Sequence, residues 1–373
     1  MIELVFVQGG SGGDGVAGAE GVGPGRRCGV VDVIDERFEP VQPVESYLSH
    51  LQAVERSPNT VRAYASSLRL FFEFLAGRGA AWEEVGLDEL GRFVSWLRSP
   101  AEGVIPIDAA VSARSASTVN RHLAAVFSFY EFHARFGVGV AAELVEWRRG
   151  GRGSYRPFLE GVGGRSRRGP RRPVRLRSER RLPQTLTTEQ VAVLLAACGH
   201  VRDRLLIALL AETGMRAGQA LGLRHCDVIS RTKTVRIVPR SDNANGARAK
   251  CRDTAQIPVS APLVRLYSEY LFDEYGDIDS DYVFVNLFAE PVGRPLGYSA
   301  VAGLVGRLRA RSGIDFSLHV LRHSAASEWI RAGVPIEVVS KLLTHASIAT
   351  TNDTYVHLDV EDLRAELVKA GLR

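Results

Sequence analysis

The chain has few of the residues that mark disulfide-rich, zinc-binding or membrane proteins. Only four of its 373 residues are cysteines, and they are dispersed at Cys28, Cys198, Cys226 and Cys251 without a C-x-x-C pair. This pattern argues against a disulfide framework or a zinc ribbon and favours a reducing cytosol. No run of eighteen apolar residues is present, and the first residues lack the basic region of a signal peptide. We therefore expect a cytoplasmic protein that does not enter a membrane.

The sequence also lacks the motifs of nucleotide- and metal-dependent enzymes. The Gly-rich stretch 9–15 has neither a Walker lysine nor a flanking strand–helix pattern. No acidic cluster is present to hold Mg²⁺. His319 and His323 have the H-x-x-x-H spacing of zinc proteases, but that motif needs Glu at the position of Val320. We therefore predict no cofactor and no metal ion.

Positive charge is concentrated in one segment. The formal net charge is +5, yet residues 148–181 contain thirteen Arg, no Lys and two acids, and so carry +11. By difference, the rest of the chain carries about −6. A basic belt on an acidic body indicates a polyanionic partner. The alternative is a solvated linker whose arginines reflect only a GC-rich genome.

Composition and hydrophobic periodicity predict two folded domains joined by this basic segment. Residues 1–43 are Gly-rich and are expected to be disordered. Residues 44–138 are predicted to form an all-α bundle, and residues 184–373 an α+β domain. Between them, residues 139–183 form an Arg-rich linker whose Gly and Pro content predicts little regular structure.

Start and stop signals place the helices of the first domain. In the second helix Ser57 offers an N-cap, Pro58 occupies the first position and Gly77 ends the helix. The fourth helix has an apolar stripe that leaves Asn120 and Arg121 facing outward. The four predicted helices span 44–55, 57–77, 87–98 and 117–136.

The second domain mixes helices with short strands. Thr187 and Gln190 form a capping box at the start of its first helix. Two strands, 234–240 and 253–259, are joined by the polar loop 241–252, and a strand-like run follows at 281–286. The remaining predicted helices span 201–212, 262–275, 298–311, 319–332, 335–344 and 361–370.

Four motifs in this domain have the side chains that phosphoryl transfer to a tyrosine requires. The motifs read T-G-M-R-A-G-Q-A-L, N-G-A-R-A-K, L-H-V-L-R-H and L-L-T-H-A-S-I-A-T-T-N-D-T-Y-V-H. Arginine binds phosphate bidentately, a tyrosine hydroxyl can act as a nucleophile, and lysine or histidine can protonate a leaving oxygen. The residues concerned are Arg216, Lys250, His319, Arg322, His345 and Tyr355.

From about residue 44 to the C-terminus, these segments resemble the tyrosine recombinase (phage integrase) family in their order and approximate spacing. The resemblance implies a helical core-binding domain and a mainly helical α+β catalytic domain with a small antiparallel sheet. It implies that Tyr355 attacks the scissile phosphate, and that Lys250, on a hairpin expected to be mobile, protonates the leaving oxygen. Arg248 and Arg252 are competitors for the latter role. The other four motif residues would stabilise the phosphate.

The resemblance also implies a partner and an assembly. The partner is double-stranded DNA, bound by a homotetramer on two recombination sites. Gln219 departs from the family, which often has an acid three residues after the first arginine. Gln can form hydrogen bonds but cannot form an ion pair, so we expect it to hold the active-site residues less strongly than an acid would. The expected DNA contacts are Asn120, Arg121, Arg248, Arg252, Arg167, Arg168, Arg171 and Arg172.

The function implied is site-specific recombination or integration for a phage or transposon, through a 3′-phosphotyrosyl intermediate. Two alternatives stay open at this point. One is a DNA-binding protein that keeps the fold but does not cleave. The other is a type IB topoisomerase, which shares the chemistry and relaxes DNA without a partner site.

Overall fold

The computed structural model of the chain describes residues 3–7, 30–34, 39–99, 114–137, 174–177, 184–251 and 253–344, with backbone only for 3–7 and 30–32. The chain divides into two compact units, Met1–Arg180 and Arg181–Arg373. No helix in these described ranges is long and apolar enough to cross a membrane.

The first unit is a helical bundle whose ends follow the capping signals. The Ser57 hydroxyl accepts a hydrogen bond from the Thr60 amide, Pro58 opens the second helix and Gly77 caps its C-terminus, as predicted. The Ser115 hydroxyl caps the fourth helix in the same way. The helices are α1 (Gln42–Ala53), α2 (Pro58–Ala76), α3 (Leu87–Arg98) and α4 (Ala116–His133). The prediction that residues 44–138 form a helical bundle is confirmed in the part of that range that the structure describes.

Aromatic side chains form the centre of this bundle. Phe71 packs edge-on against Phe93 and Tyr130, with ring centroids 5.0 and 6.1 Å apart. Phe129 and Tyr130 are fully buried on α4. Rings of this size remove a large apolar area from water, and their edge-to-face contacts fix how the helices pack. The bundle therefore has a core of its own.

Part of the N-terminal segment is ordered, which corrects the expectation of disorder across 1–43. Strand β1 (Glu3–Val7) pairs antiparallel with β2 (Val30–Ile34). Val33 is 1% exposed and packs in the core of the bundle. The hairpin is therefore anchored to the first unit through its second strand.

The second unit is mainly helical with one small sheet, so the predicted fold class is confirmed. The capping box of Thr187 and Gln190 opens α5, as predicted. The sheet is antiparallel, in the order β3-β4-β5. The helices and strands of the second unit are α5 (Thr188–Ala196), α6 (Val201–Thr213), α7 (Ala217–Leu221), β3 (Val228–Ile229), β4 (Thr234–Ile237), β5 (Ala255–Pro258), α8 (Ala261–Tyr270), α9 (Tyr298–Ser312), α10 (Leu318–Arg331) and α11 (Ile336–Leu342).

The strand-like run 281–286 does not join this sheet. Its backbone pairs instead with connecting segments, because the Val283 amide donates to Leu223 and the Leu296 amide donates to the Phe284 carbonyl. The run forms only isolated bridges, although the side chains of 282–285 are buried. The apolar residues that predicted a strand at 281–286 are apolar because they are buried, and the run forms no strand of the sheet. The predicted helix 361–370 lies outside the described residues.

Candidate functional site

Arg216, the first of the predicted phosphate-binding residues, lies between two helices of the second unit. It is the N-cap residue of α7, directly after the turn that ends α6. That turn contains Gly214 at φ +59°, where a Cβ would approach Leu343 Cδ2 to 3.0 Å. A side chain at this position would therefore meet both backbone strain and a close neighbour. Gly214 thus lets the α6–α7 turn pack closely against the end of α11.

Gln219 connects Arg216 to the end of α11. The Gln219 Oε1 atom accepts a hydrogen bond from the Arg216 amide at 2.7 Å. Its Nε2 atom donates to Thr344 Oγ1 at 2.8 Å, and Arg216 Nη1 donates to the same hydroxyl at 3.3 Å. A carboxylate has no N–H donor and could only accept at this position. The amide that departs from the family pattern therefore forms a bridge by donating at one end and accepting at the other.

Arg322 lies on α10, contacts the α6–α7 turn and the residues after α11, and is almost fully buried, at 1% exposure. Its Nη1 donates to the Gly214 carbonyl at 2.7 Å, and its Nη2 donates to the Leu343 carbonyl at 2.6 Å. Hydrogen bonds from a charged donor are stronger than neutral ones. Arg322 therefore ties three segments of the second unit together.

His319 and His323 occupy successive turns of α10, with ring centroids 4.4 Å apart in a T-shaped contact. Desolvation, followed by the charges of Arg322 and Arg216, lowers the pKa of His319 below 6.5, although the side chain keeps an exposed surface. Desolvation, then His319 and Arg322, lowers the pKa of His323 to about 4. Both imidazoles are therefore neutral at pH 7, and His319 can accept a proton.

Lys250 is exposed, at φ +52°, near the end of the loop that joins β4 to β5. This loop is held more firmly than a mobile hairpin would be. Asn245 Nδ2 donates to the Leu221 and Leu296 carbonyls at 3.0 and 2.9 Å, and Oδ1 accepts from the Ala247 amide at 3.0 Å. Asn243 Nδ2 donates to the Ala247 carbonyl at 2.8 Å. The loop is thereby fixed to α7, the helix that Arg216 caps.

The same loop meets α7 at a second point. The Arg248 carbonyl lies against Gly218, where any Cβ would collide with it. Cys251 is half-buried and its thiol lies near Gln219. Burial raises the pKa of this thiol, while Gln219 and the charge of Arg216 act in the opposite direction. The thiol is therefore protonated at neutral pH.

The structure brings some of the expected residues together and leaves others outside its described part. Hydrogen bonds connect Arg216 and Arg322 to residues 343–344, directly after α11, and His319 lies close enough to both arginines for their charges to lower its pKa. The loop of Lys250 is held to α7, which Arg216 caps. Asn120 and Arg121 belong to the other unit. The expected residues outside the described ranges are His345, Tyr355, Arg252, Arg167, Arg168, Arg171 and Arg172.

Asn120 does not face outward as the sequence predicts. Its Nδ2 atom donates to the Leu176 carbonyl at 2.9 Å, and its Oδ1 atom accepts from the Leu176 amide at 2.8 Å. The side chain is half-buried, whereas that of Arg121 is exposed. The Asn120 amide therefore contacts the protein's own chain.

Sequence reasoning missed the residues that support the site, Thr344, Cys251, Asn243 and Asn245. For Thr344 and Cys251 the only signal was their place beside His345 and Lys250. The asparagines stand in N-A-N-G, a turn-forming composition whose partners no local pattern reveals.

A cavity of about 360 Å³ in the second unit is not lined by Arg216, Lys250, His319 or Arg322. Its walls are mainly apolar side chains of α5, α6 and α8, together with Glu212 and Glu328. Among the described residues no group of three His, Cys, Asp or Glu side chains is placed to hold a metal ion.

Comparison with known proteins gives consistent matches over most of the chain. Residues 184–362 match the phage integrase family, and residues 44–137 match the phage integrase N-terminal SAM-like domain. Transposase A of transposon Tn554 from Staphylococcus aureus is 34% identical over 90% of this chain and 93% of its own length. The tyrosine recombinase XerD of Mycobacterium tuberculosis is 28% identical over 86% of this chain and 94% of its own length.

Solved structures agree with these matches at the level of the fold. The Tn1549 transposon integrase in complex with circular intermediate DNA aligns with a TM-score of 0.61 at 14% identity, over 88% of this chain and 99% of that one. A lambda integrase dimer bound to a core site aligns with a TM-score of 0.56, also at 14% identity, over 84% and 94%.

Proposed function

The chain belongs to the phage integrase family of tyrosine recombinases, and on that premise we propose that it cuts and rejoins duplex DNA at specific recombination sites. The observation that carries the proposal is the convergence of Arg216, His319 and Arg322 with the end of α11. That end directly precedes His345 in the sequence. Two guanidinium groups and a neutral imidazole suit a pentacoordinate phosphate that gains negative charge.

We assign the bond-making steps as follows. The Tyr355 hydroxyl gives its proton to the neutral His319 and its oxygen bonds to the scissile phosphorus, while the bond from phosphorus to the 5′ oxygen breaks. Lys250 gives a proton to that oxygen, so the products are a 3′-phosphotyrosyl enzyme and a free 5′ hydroxyl. Arg216, His319, Arg322 and His345 stabilise the charge. The 5′ hydroxyl of a partner duplex then gives its proton to the deprotonated Lys250 and attacks the phosphotyrosine, and Tyr355 leaves with the proton that His319 had taken up.

The phosphodiester energy is kept in the covalent intermediate, so the reaction needs no nucleotide. Exchanging both strands of two duplexes requires four cleavages, and we therefore propose a homotetramer on two sites. The related transposase of Tn554 supports a role in the movement of a transposon or phage element. Its DNA substrate would place the enzyme in the cytoplasm.

Tyr355→Phe tests the assignment of the nucleophile. It should abolish covalent attachment to a nicked suicide duplex built from the ends of the element that carries the coding region. DNA affinity should change little, because only one hydroxyl is lost. Adducts are counted on denaturing gels and affinity is measured on intact duplex, both in EDTA. An adduct that persists in Tyr355→Phe would move the nucleophile elsewhere.

Two controls separate the alternatives. Wild-type adduct formation that strictly requires an added metal ion would overturn the metal-free mechanism. Relaxation of supercoiled DNA without any recombination site would favour a topoisomerase, whereas DNA binding without an adduct in the wild type would favour a non-cleaving protein.

A further inference from the structure

Residues 174–177 lie along the helical unit although they belong to the Arg-rich linker. Val174 and Leu176 are half-buried and pack against the core of the bundle. The Asn120 side chain pairs with both backbone polar groups of Leu176, at 2.8 and 2.9 Å. An amide that donates and accepts in this way imitates the edge of a neighbouring strand. These contacts hold the segment at both its backbone and its apolar side chains.

The alternation of burial in this segment leaves two arginines on its other side. Arg175 and Arg177 are exposed, whereas Val174 and Leu176 are not. Arg121 follows Asn120 on α4 and is also exposed. Three arginines therefore flank one pair of hydrogen bonds. No ion pair between them and a carboxylate occurs within the described residues.

We propose that Arg121, Arg175 and Arg177 form a binding surface for the phosphates of duplex DNA, and that Asn120 is the positioning residue that holds this surface together. Guanidinium groups suit phosphate oxygens, and phosphate contacts fix the register of a protein on DNA without reading its sequence. Because the segment is ordered before DNA arrives, less conformational entropy is lost on binding. The proposal rests on the proposed function only in taking DNA as the ligand.

The surface is tested by the salt dependence of binding to a labelled duplex of arbitrary sequence. If both linker arginines contact phosphates, R175Q/R177Q should make the log–log slope shallower by roughly 1.8. The matched control is R56Q/R135Q, which removes two exposed arginines elsewhere on the helical unit. An unchanged slope in R175Q/R177Q, or an equal change in the control, overturns the proposal.

The role of Asn120 is tested by a double-mutant cycle. Asn120→Ala removes no charge, yet it should weaken binding roughly threefold to tenfold, because two hydrogen bonds that hold the arginines are lost. In the R175Q/R177Q background the same substitution should have almost no effect, because the groups it positions are absent. Equal effects in both backgrounds would mean that Asn120 acts independently of Arg175 and Arg177. That result would overturn the proposal that the pairing of Asn120 with Leu176, which we call the clamp, positions these arginines.

Limited trypsin digestion of the free full-length protein checks the clamp without DNA. Cleavage after Arg175 and Arg177, identified by mass spectrometry, should be faster in Asn120→Ala than in wild type, with circular dichroism unchanged. Equal cleavage rates would contradict the clamp. These measurements use equilibrium binding and the free protein, so their failure would leave the adduct assay on Tyr355 unaffected. A failed adduct assay would likewise leave this surface standing.

Discussion

Arg322 and Arg216 carry the same group in different surroundings. The Arg322 guanidinium is 1% exposed and donates to two backbone carbonyls, whereas Arg216 is half-buried and donates to the Thr344 hydroxyl at 3.3 Å. A hydrogen bond from a charged group contributes about 1.5–3 kcal/mol, and losing the donor also leaves a buried carbonyl without its partner. Arg322 therefore has a structural task in addition to the phosphate contact we propose for it.

Substituting the two arginines separates these tasks. Arg322→Ala should lower the free energy of unfolding by about 3 kcal/mol, and Arg216→Ala by about 1 kcal/mol or less. Both substitutions should abolish covalent attachment to DNA. Denaturant unfolding and the suicide-substrate assay measure the two effects on the same preparations.

Arg322→Lys provides the matched control, because it keeps the charge but cannot span both carbonyls with a planar fork. It should remain destabilised. Wild-type stability in Arg322→Ala would contradict the structural role of the buried guanidinium.

The loop from β4 to β5, which carries Lys250, is held in place by contacts of other residues in the loop. Ala247 and Ala249 are buried, while Lys250 is exposed. Two hydrogen bonds donated by Asn245 Nδ2 tie the loop to Leu221 at the end of α7 and to Leu296 before α9, and a third, accepted by Oδ1 from the Ala247 amide, lies within the loop. The Asn245 amide is therefore one of the groups that hold the loop of Lys250 against α7, the helix that Arg216 caps.

Asn245→Ala should slow DNA cleavage roughly tenfold or more, as a fraction of the roughly 10²–10⁴-fold that a general acid contributes. The defect should largely disappear on DNA in which sulfur replaces the 5′ leaving oxygen. A thiolate, with a parent pKa of about 8.5, leaves without needing a proton. Single-turnover rates on the two substrates measure the difference.

Lys250→Ala is the reference variant for this experiment, and the sulfur substrate should rescue it as well. If Lys250→Ala is not rescued, the assignment of Lys250 as the acid fails. If Lys250→Ala is rescued but Asn245→Ala is equally slow on both substrates, then Asn245 supports the fold and does not act through the lysine.

The elements that sequence reasoning predicted best are those with local signals. Ser57 with Pro58, and Thr187 with Gln190, lie within one helical turn of the starts they mark, and the structure confirms both. The β1–β2 hairpin was not predicted, because its strands are separated by the long Gly-rich segment 8–29. The pairing of distant segments leaves little trace in local periodicity.

In the candidate site, too, residues in local motifs were predicted, whereas contacts between distant segments were not. The motifs identified Arg216, His319 and Arg322, which the structure brings together. The bridge from Gln219 to Thr344 and the clamp from Asn120 to Leu176 join residues far apart in the sequence, and neither was predicted. For Asn120 the outward orientation was wrong, because the apolar stripe of α4 does not show that another segment covers the polar face.

Both units contain histidines whose neutral form is stabilised by folding. Burial, followed by the charges of Arg121 and Arg114, lowers the pKa of His122 to about 4 in the first unit. In the second unit, burial is the main cause that lowers the pKa of His323 to about 4 and that of His225 below 6.5. In the unfolded chain each imidazole takes up a proton near pH 6.5.

Stability should therefore be full above pH 6.5 and decline as the pH falls towards 4, because the unfolded chain then binds more protons than the folded one. For His122, which is 5% exposed, the loss at pH 5 is about 1–2 kcal/mol. Urea unfolding at pH 7.5 and pH 5 measures it. His122→Asn, which keeps a polar partner for Ser67, should flatten the pH dependence of the first unit. An identical pH dependence in this variant would rule out His122 as a source.

The pairing of Asn120 with Leu176 changes the length of chain that tethers one unit to the other. Residues 174–177 are held against the helical unit by the packing of Val174 and Leu176 and by the pairing of Leu176 with Asn120. Only residues 178–183 remain between Arg177 and Gln184, a reach of at most about 25 Å. A short tether raises the effective concentration of the second unit near DNA that the first unit has bound. On our proposal that the first unit binds DNA, the pairing of Asn120 with Leu176 therefore shortens the free chain between that DNA and the second unit.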